Sequence, residues 1–250
     1  MQNKKVTHQK SIVRYLQAVC ALLCLASLHG QATDFTKALG TVYCDGGIRG
    51  TASHIALPKQ YKNNQSIIVT AAHVLYDKHT DSLFKDCYYR PQNKRLSNIT
   101  FAKISAHSYS AKAENKIAQA ENDIVFIQLK HRAYQPALAL SQSKIGRAGA
   151  LSLLGVNPSK NPDFVSSDCQ QLHFDAVLDQ KLLLHNCPSK SGDSGAPILD
   201  NKSGEIIAVH GGRLNLKLHR QATNQGNWVK QGRLIDPATI KHFQDFLLEL

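Results

Sequence analysis

Several signatures are missing from this 250-residue chain, and each absence removes a class of protein. Its six cysteines include no CxxC pair, so its thiols do not form a structural zinc site. There is no HExxH of a zinc hydrolase, and no GxSxG of a lipase or esterase built on the α/β-hydrolase fold. Fixed-period repeats, heptads and long low-complexity stretches are also lacking. Acids are scarce: 18 against 30 lysines and arginines, a formal net charge of +12. Such a balance favours anionic surfaces or acidic substrates. The basic residues are scattered, however, with no dense Lys/Arg tract and no interleaved aromatics, so no nucleic-acid partner is expected. No cofactor or metal is expected either.

The apolar run from Tyr15 to Leu28 is short of the roughly 20 residues that a membrane span needs. Lys4, Lys5, Lys10 and Arg14 precede it with no acid among them, and small residues follow up to Ala32. A basic head, a short apolar middle and a small-residue end is the layout of a secretory signal. Cleavage near Ala32 would make the protein secreted or periplasmic; left uncleaved, the segment would be a membrane anchor. Cys20 and Cys24 would leave with the signal. Cys44, Cys87, Cys169 and Cys187 would remain in an oxidising compartment, where an even count suggests two disulfides. Four cysteines allow three pairings. Chain order suggests Cys44 with Cys87 and Cys169 with Cys187, each worth about 3–4 kcal/mol through the loop it closes.

Beyond Ala32 the chain reads as many short strands separated by turns. Examples are Gly40–Cys44, Gly50–Leu57, Ser66–Ala72, Ile99–His107, Asp123–Leu129, Ala150–Val156, Gln171–Leu178, Lys181–Asn186 and Glu205–Gly211. The pattern implies an all-β fold, sandwich or barrel. Two polar stretches interrupt it, Ala111–Asn122, read as a surface loop, and Arg213–Asn227. A softer break at His131–Pro136 divides the mature chain into halves of similar size. The C-terminus reads as a helix: Asp236 caps, Pro237 takes the first position, and Ile240, Phe243, Phe246, Leu247 and Leu250 share a face. It is expected to pack on the second half.

Three residues sit where nucleophilic catalysis would need them. Ser194 lies in GDSGAP, where Gly192 and Gly195 permit a sharp bend before a strand. A serine hydroxyl needs a base to become a nucleophile, and the base needs an orienting group. His73 ends the apolar run SIIVTAAH at a small-residue turn, and Asp123 opens NDIVFIQL. Each has a plainer reading: one of twelve histidines without a task, a turn-capping aspartate, a common Gly-Ser-Gly loop. The N–H groups of Gly192 and Ser194 could converge as an oxyanion hole.

With TAAH, ND before an apolar strand, and GDSGAP in that order, the chain resembles the chymotrypsin/trypsin family of serine endopeptidases. It is similar to the secreted bacterial type and to glutamyl endopeptidases. The resemblance implies two six-stranded antiparallel β-barrels with a C-terminal α-helix. Residues 1–32 would be the signal, 33–132 the N-terminal barrel, 133–235 the C-terminal barrel and 236–250 the helix. It implies a catalytic set of His73, Asp123 and Ser194 acting on a protein or peptide substrate. Val74 stands where animal members often carry cysteine, and no Ile-Val-Gly-Gly amino terminus occurs to pair with Asp193. The residue six before the serine, at the base of the family's first specificity pocket, is Pro188, which offers no carboxylate for Arg or Lys. Ser189 and His210 match positions that bind an acidic side chain in glutamyl endopeptidases. Gly211 and Gly212 would pair with substrate backbone. The alternative is a catalytically silent binding protein on the same fold.

Overall fold

The computed structural model describes residues 35–61, 65–93, 95–141, 150–157, 163–173, 180–215 and 228–250. The signal-like segment, the end of the strand expected over Gln171–Leu178 and most of Arg213–Asn227 lie outside these residues. The first half builds β1 (Leu39–Cys44), β2 (Gly47–Ile55), β3 (Ile67–Thr70), β4 (Tyr76–Asp77), β5 (Ser82–Leu83), β6 (Cys87–Pro91), β7 (Ile99–Ile104) and β8 (Val125–Leu129). Six of them close a barrel in the order β1-β2-β3-β8-β7-β6, and β4 and β5 form a separate hairpin. Asp45 and Gly46, with φ of 49° and 76°, make the two-residue turn between β1 and β2. Aspartate followed by glycine suits that left-handed geometry, which matches the twist of the strands. The core in and around the barrel is built from β-branched and aromatic side chains, among them Ile67, Ile68, Val69, Phe126 and Ile127, whose alternate residues face opposite sides of the strands.

The second half adds β9 (Leu151–Asn157), β10 (Asp163–Cys169), β11 (Gln171–Leu172), β12 (Leu182–His185), β13 (Pro197–Asp200), β14 (Ile206–Asn215) and β15 (Trp228–Leu234). They form a seven-stranded antiparallel sheet in the order β10-β9-β13-β14-β15-β12-β11. Among the described residues its outer strands do not pair, so it is an open half-barrel where a second six-stranded barrel was expected. Its core is Leu151, Leu153, Leu183, Ile198, Ala208 and Leu234. The fold is thus mostly β, with a closed barrel, a curved second sheet and a terminal helix.

Both disulfides form as chain order suggests, Cys44–Cys87 between β1 and β6 and Cys169–Cys187 in the second half. Two other expectations are corrected. The polar stretch Ala111–Asn122 is not all loop: it holds a helix, α1 (Lys116–Glu121), capped by Asn115, whose side chain accepts the Ile117 and Ala118 N–H groups. Ile117 and Ala120 supply its apolar face and pack against Leu182, Leu184, Leu214 and Val229. The C-terminal helix, α2 (Pro237–Leu248), starts as read, with Asp236 Oδ1 accepting the Thr239 N–H at 2.7 Å. It returns to the first barrel, however: the Phe243 ring lies 4.9 Å from that of Phe126 on β8. Phe243, Phe246 and Leu247 thereby join the core that the barrel strands build. No helix among the described residues is long and apolar enough to cross a membrane.

Candidate active site

Antiparallel pairing of β3 with β8 sets Thr70 opposite Val125. The end of one strand therefore lies beside the start of the other. His73 follows β3 in a single 3-10 turn, Ala72–Leu75, and Asp123 immediately precedes β8. Both Asp123 oxygens face the histidine: Oδ1 accepts the His73 backbone N–H at 2.9 Å, and Oδ2 lies 2.7 Å from Nδ1. A carboxylate only 3% exposed needs such partners to stay charged. With Nδ1 donating to Asp123, Nε2 is the nitrogen left for proton transfer. Burial works against the imidazolium, but the charge of Asp123 and its hydrogen bond outweigh it and hold the His73 pKa above the ordinary histidine value.

Ser194 sits in the turn between β12 and β13. Two bonds fasten this turn to the barrel, and a third braces the strand that makes them. Thr51 of β2 donates its N–H to Ser194 O at 2.8 Å and its hydroxyl to Gly192 O at 2.9 Å. Thr70, at the end of β3, donates its own hydroxyl to Thr51 O at 2.7 Å. Gly195, at φ +81°, packs so closely that a Cβ there would overlap Thr70 Oγ1 and Thr51 O. The serine turn is therefore tied to the strand that carries His73. Gly192 adopts φ +97°, and neither its amide nor that of Ser194 has a hydrogen-bond partner among the described residues. Two donors left open beside a serine are what an oxyanion hole requires. The Ser194 hydroxyl makes no hydrogen bond to His73 among the described residues. In catalytic sites without substrate that contact is commonly long and tightens in the complex.

Residues 58–209, which include all three of these residues, match the family model for the trypsin-like peptidase domain. The chain belongs to the trypsin-like peptidase family. Its fold is similar to that of a glutamyl endopeptidase solved with MPD, at TM-score 0.64 and 14% identity, covering 87% of this chain and 92% of that one. Kallikrein-related peptidase 10 gives a TM-score of 0.61 at 11% identity, covering 88% and 99%. The thermostable serine protease AL20 from an extremophilic microorganism gives 0.59 at 15%, covering 83% and 95%. No curated protein matches the chain in sequence. By family this protein is a serine endopeptidase, and its substrates are peptides or proteins.

A cavity of about 810 Å³ opens beside His73 and Asp123 in this peptidase. Ile117, Ala120, Leu214 and Trp228 line its apolar part, and Gly211 and Gln231 lie at its catalytic end. Beyond His210, β14 pairs among the described residues with β15 on one side only, which leaves its other edge from Gly211 onward as a place for an added strand. A Cβ at Gly211 would overlap Gln231 Nε2 and stand 3.0 Å from Asp123 Oδ2. The Gln231 carboxamide thus fills the space behind the aspartate.

Residues expected around one specificity pocket are distributed over four environments. Gly211 lines the large cavity, while Gly212, at φ +120°, sits at a bulge between β14 and β15. Pro188 and Ser189 line a small cavity of about 180 Å³ with Gly155 and Asp193. Asp193 Oδ2 there accepts the Lys190 backbone N–H at 2.7 Å. His210 is buried, with Nδ1 3.1 Å from Nε2 of His185. Burial first, then the charges of His185, His73 and Lys230, pull its pKa well below the ordinary histidine value. His185 is lowered to about 4, mainly by burial and then by Lys230. Both imidazoles are therefore neutral near pH 7, and Lys230 is a cation that both sense. Sequence reading missed Lys230, Thr51, Thr70 and Gln231. Among the described residues no group of three acidic, histidine or cysteine side chains could hold a metal ion.

Proposed function

We propose that Ser194 is the nucleophile, His73 the general base and Asp123 the group that orients it, with the Gly192 and Ser194 N–H groups as the oxyanion hole. Ser194 Oγ attacks the peptide carbonyl as its proton passes to His73 Nε2. The C–N bond then breaks, and His73 returns that proton to the leaving amine. Water attacks the acyl-enzyme by the same route and releases Ser194. Residues 33–132 would supply His73 and Asp123, and residues 133–235 the serine turn. The observation that carries this reading is the clamp: Thr51 holds the carbonyls of Gly192 and Ser194 against the strand leading to a His73 already paired with Asp123.

We further propose an acidic residue before the cut, with Lys230 as the fixed cation. Lys230 Nζ donates to the carbonyl of Cys187, next to Pro188 and Ser189, and its charge reaches His185, His210 and Asp193. His210, neutral in the free protein, would offer a ring nitrogen to the substrate carboxylate and gain its proton only once that charge arrives. Two disulfides and the basic, apolar N-terminal run favour export through a cleaved signal, to the periplasm or beyond.

A fluorophosphonate probe tests the nucleophile. The protein should label on Ser194, and Ser194→Ala should stay folded with neither label nor peptidase activity. Activity retained in a clean Ser194→Ala preparation would remove the assignment. Enrichment of Arg or Lys before the cut in a peptide library would remove the pocket reading.

A further inference from the structure

The side of Ser194 that faces β2 carries an arginine held in a receptor-like pose. Ser194 stands between two strands. Gly195 N–H reaches His210 O on β14, and Thr51 N–H reaches Ser194 O from β2. If the acyl half of a substrate pairs with the open edge of β14, the leaving half must pass over β2. A Cβ at Gly50, next to Thr51, would overlap the Ser194 carbonyl oxygen and the Val74 side chain. One residue further on is Arg49. Its guanidinium carbon lies 3.9 Å from the centre of the Phe84 ring, and its Nε donates to Cys44 O at 3.2 Å. Phe84 is itself fixed, because its N–H bonds Leu75 O at 2.9 Å, two residues past His73. The disulfide Cys44–Cys87 holds the other anchor. Gly47 places no side chain over the guanidinium, which lies 3.9 Å from where its Cβ would stand.

The planar fork is thus immobilised at one edge and one face, while among the described residues no carboxylate pairs with its two terminal nitrogens. Asp77, the acid that senses Arg49, is engaged with the His79 N–H and the Thr80 hydroxyl. A pre-ordered guanidinium with free terminal N–H groups suits a carboxylate taken by two parallel bonds. Ile48 beside it is 47% exposed and offers apolar surface. An extended chain advances about 3.3 Å per residue, which brings the first three residues after the cut within reach of an arginine side chain.

We propose that Arg49 is a subsite for the leaving half of the substrate and selects an acidic side chain within the first three residues after the scissile bond. The inference rests on the peptidase reading above. Its test uses the whole mature protein and pairs of peptides identical up to the cut and differing only after it, with Asp in one and Lys in the other at the first, second or third position, the pair with the highest wild-type ratio being the one compared. The quantity read is the ratio of kcat/KM within each pair, so a general loss of activity in a variant cancels. Wild type should favour Asp about tenfold. Arg49→Gln should bring the ratio near one, and Arg49→Glu should invert it. Should Arg49→Gln fold poorly by circular dichroism, Arg49→Lys keeps the charge but loses the fork and should show an intermediate ratio. A wild-type ratio of one or less, or the same ratio in every variant, overturns the subsite and leaves the peptidase reading standing. Absence of both cleavage and fluorophosphonate labelling overturns both together.

Discussion

Thr51 shows how one buried side chain links the two halves of the site. Its hydroxyl holds Gly192 O, its amide holds Ser194 O and its carbonyl is held by Thr70. Thr51→Val keeps the shape and removes one bond. The expected loss of stability is about 1 kcal/mol, readable as a lower urea midpoint. The larger effect should be on rate, because a displaced Gly192 would misplace a proposed oxyanion donor: kcat should fall about tenfold with KM little changed. Nothing in the sequence announces this role. Thr51 is a β-branched residue in a strand, where threonine is ordinary, and its partner lies 141 residues away. As candidates, His73, Asp123 and Ser194 stand out in the sequence for the opposite reason. Each stands at the end of an apolar strand or within a glycine-flanked bend, a local context that shows without the fold. Lys230 escaped notice because one lysine among thirty basic residues carries no local signal.

At the scale of elements, α1 forms a wall of the large cavity and owes its placement to the opposite sheet. Arg233, only 6% exposed, donates Nε to Glu121 O at 2.6 Å and Nη1 to Lys181 O, Leu234 O and Asp236 Oδ2. It ties the last turn of α1, strand β15 and the cap of α2 into one joint. Lys181 also pairs with Glu121 at 2.9 Å, but its side chain is 53% exposed. The two links should differ widely in worth. Arg233→Met strands Asp236 and several carbonyls and should cost about 3 kcal/mol in chemical denaturation. Lys181→Met should cost less than about 1 kcal/mol, since an exposed pair is screened by water. The helix itself was hidden by its shortness. Six residues offer too few apolar positions to set a period, and the polar residues around them read as loop. The face of α2 was legible from its spacing, whereas its destination depended on Phe126, which only the folded barrel presents.

For the whole molecule, the histidines oppose one another across pH. The His73 pKa is raised by Asp123, so that pair adds stability that is full below the unfolded value, near 6.5, and is lost as pH rises through the folded value. His185 and His210 run the other way. Their folded pKa values are depressed, so unfolding takes up protons as pH falls below about 6.5, and stability drops until pH reaches their folded values, about 4 for His185. For His185 alone this is on the order of 3 kcal/mol. Urea midpoints followed by circular dichroism should therefore decline between pH 7 and pH 4. His185→Gln should flatten that decline, and an unchanged slope would show that the buried pair is not its source. If His73 is the base proposed above, activity should fall over a higher range, as its protonation removes the acceptor for the serine proton.

The return of α2 to β8 also bears on the order in which the protein is made. Residues 237–248 are synthesised after every described strand, yet Phe243 packs on Phe126 in the barrel whose strands are made before those of the second sheet. That early barrel stays unsealed while the rest of the chain is synthesised. A premature stop just before residue 237 would leave an unfinished enzyme with bare aromatic surface, open to quality-control proteases, even though every residue of the proposed active site had already been translated.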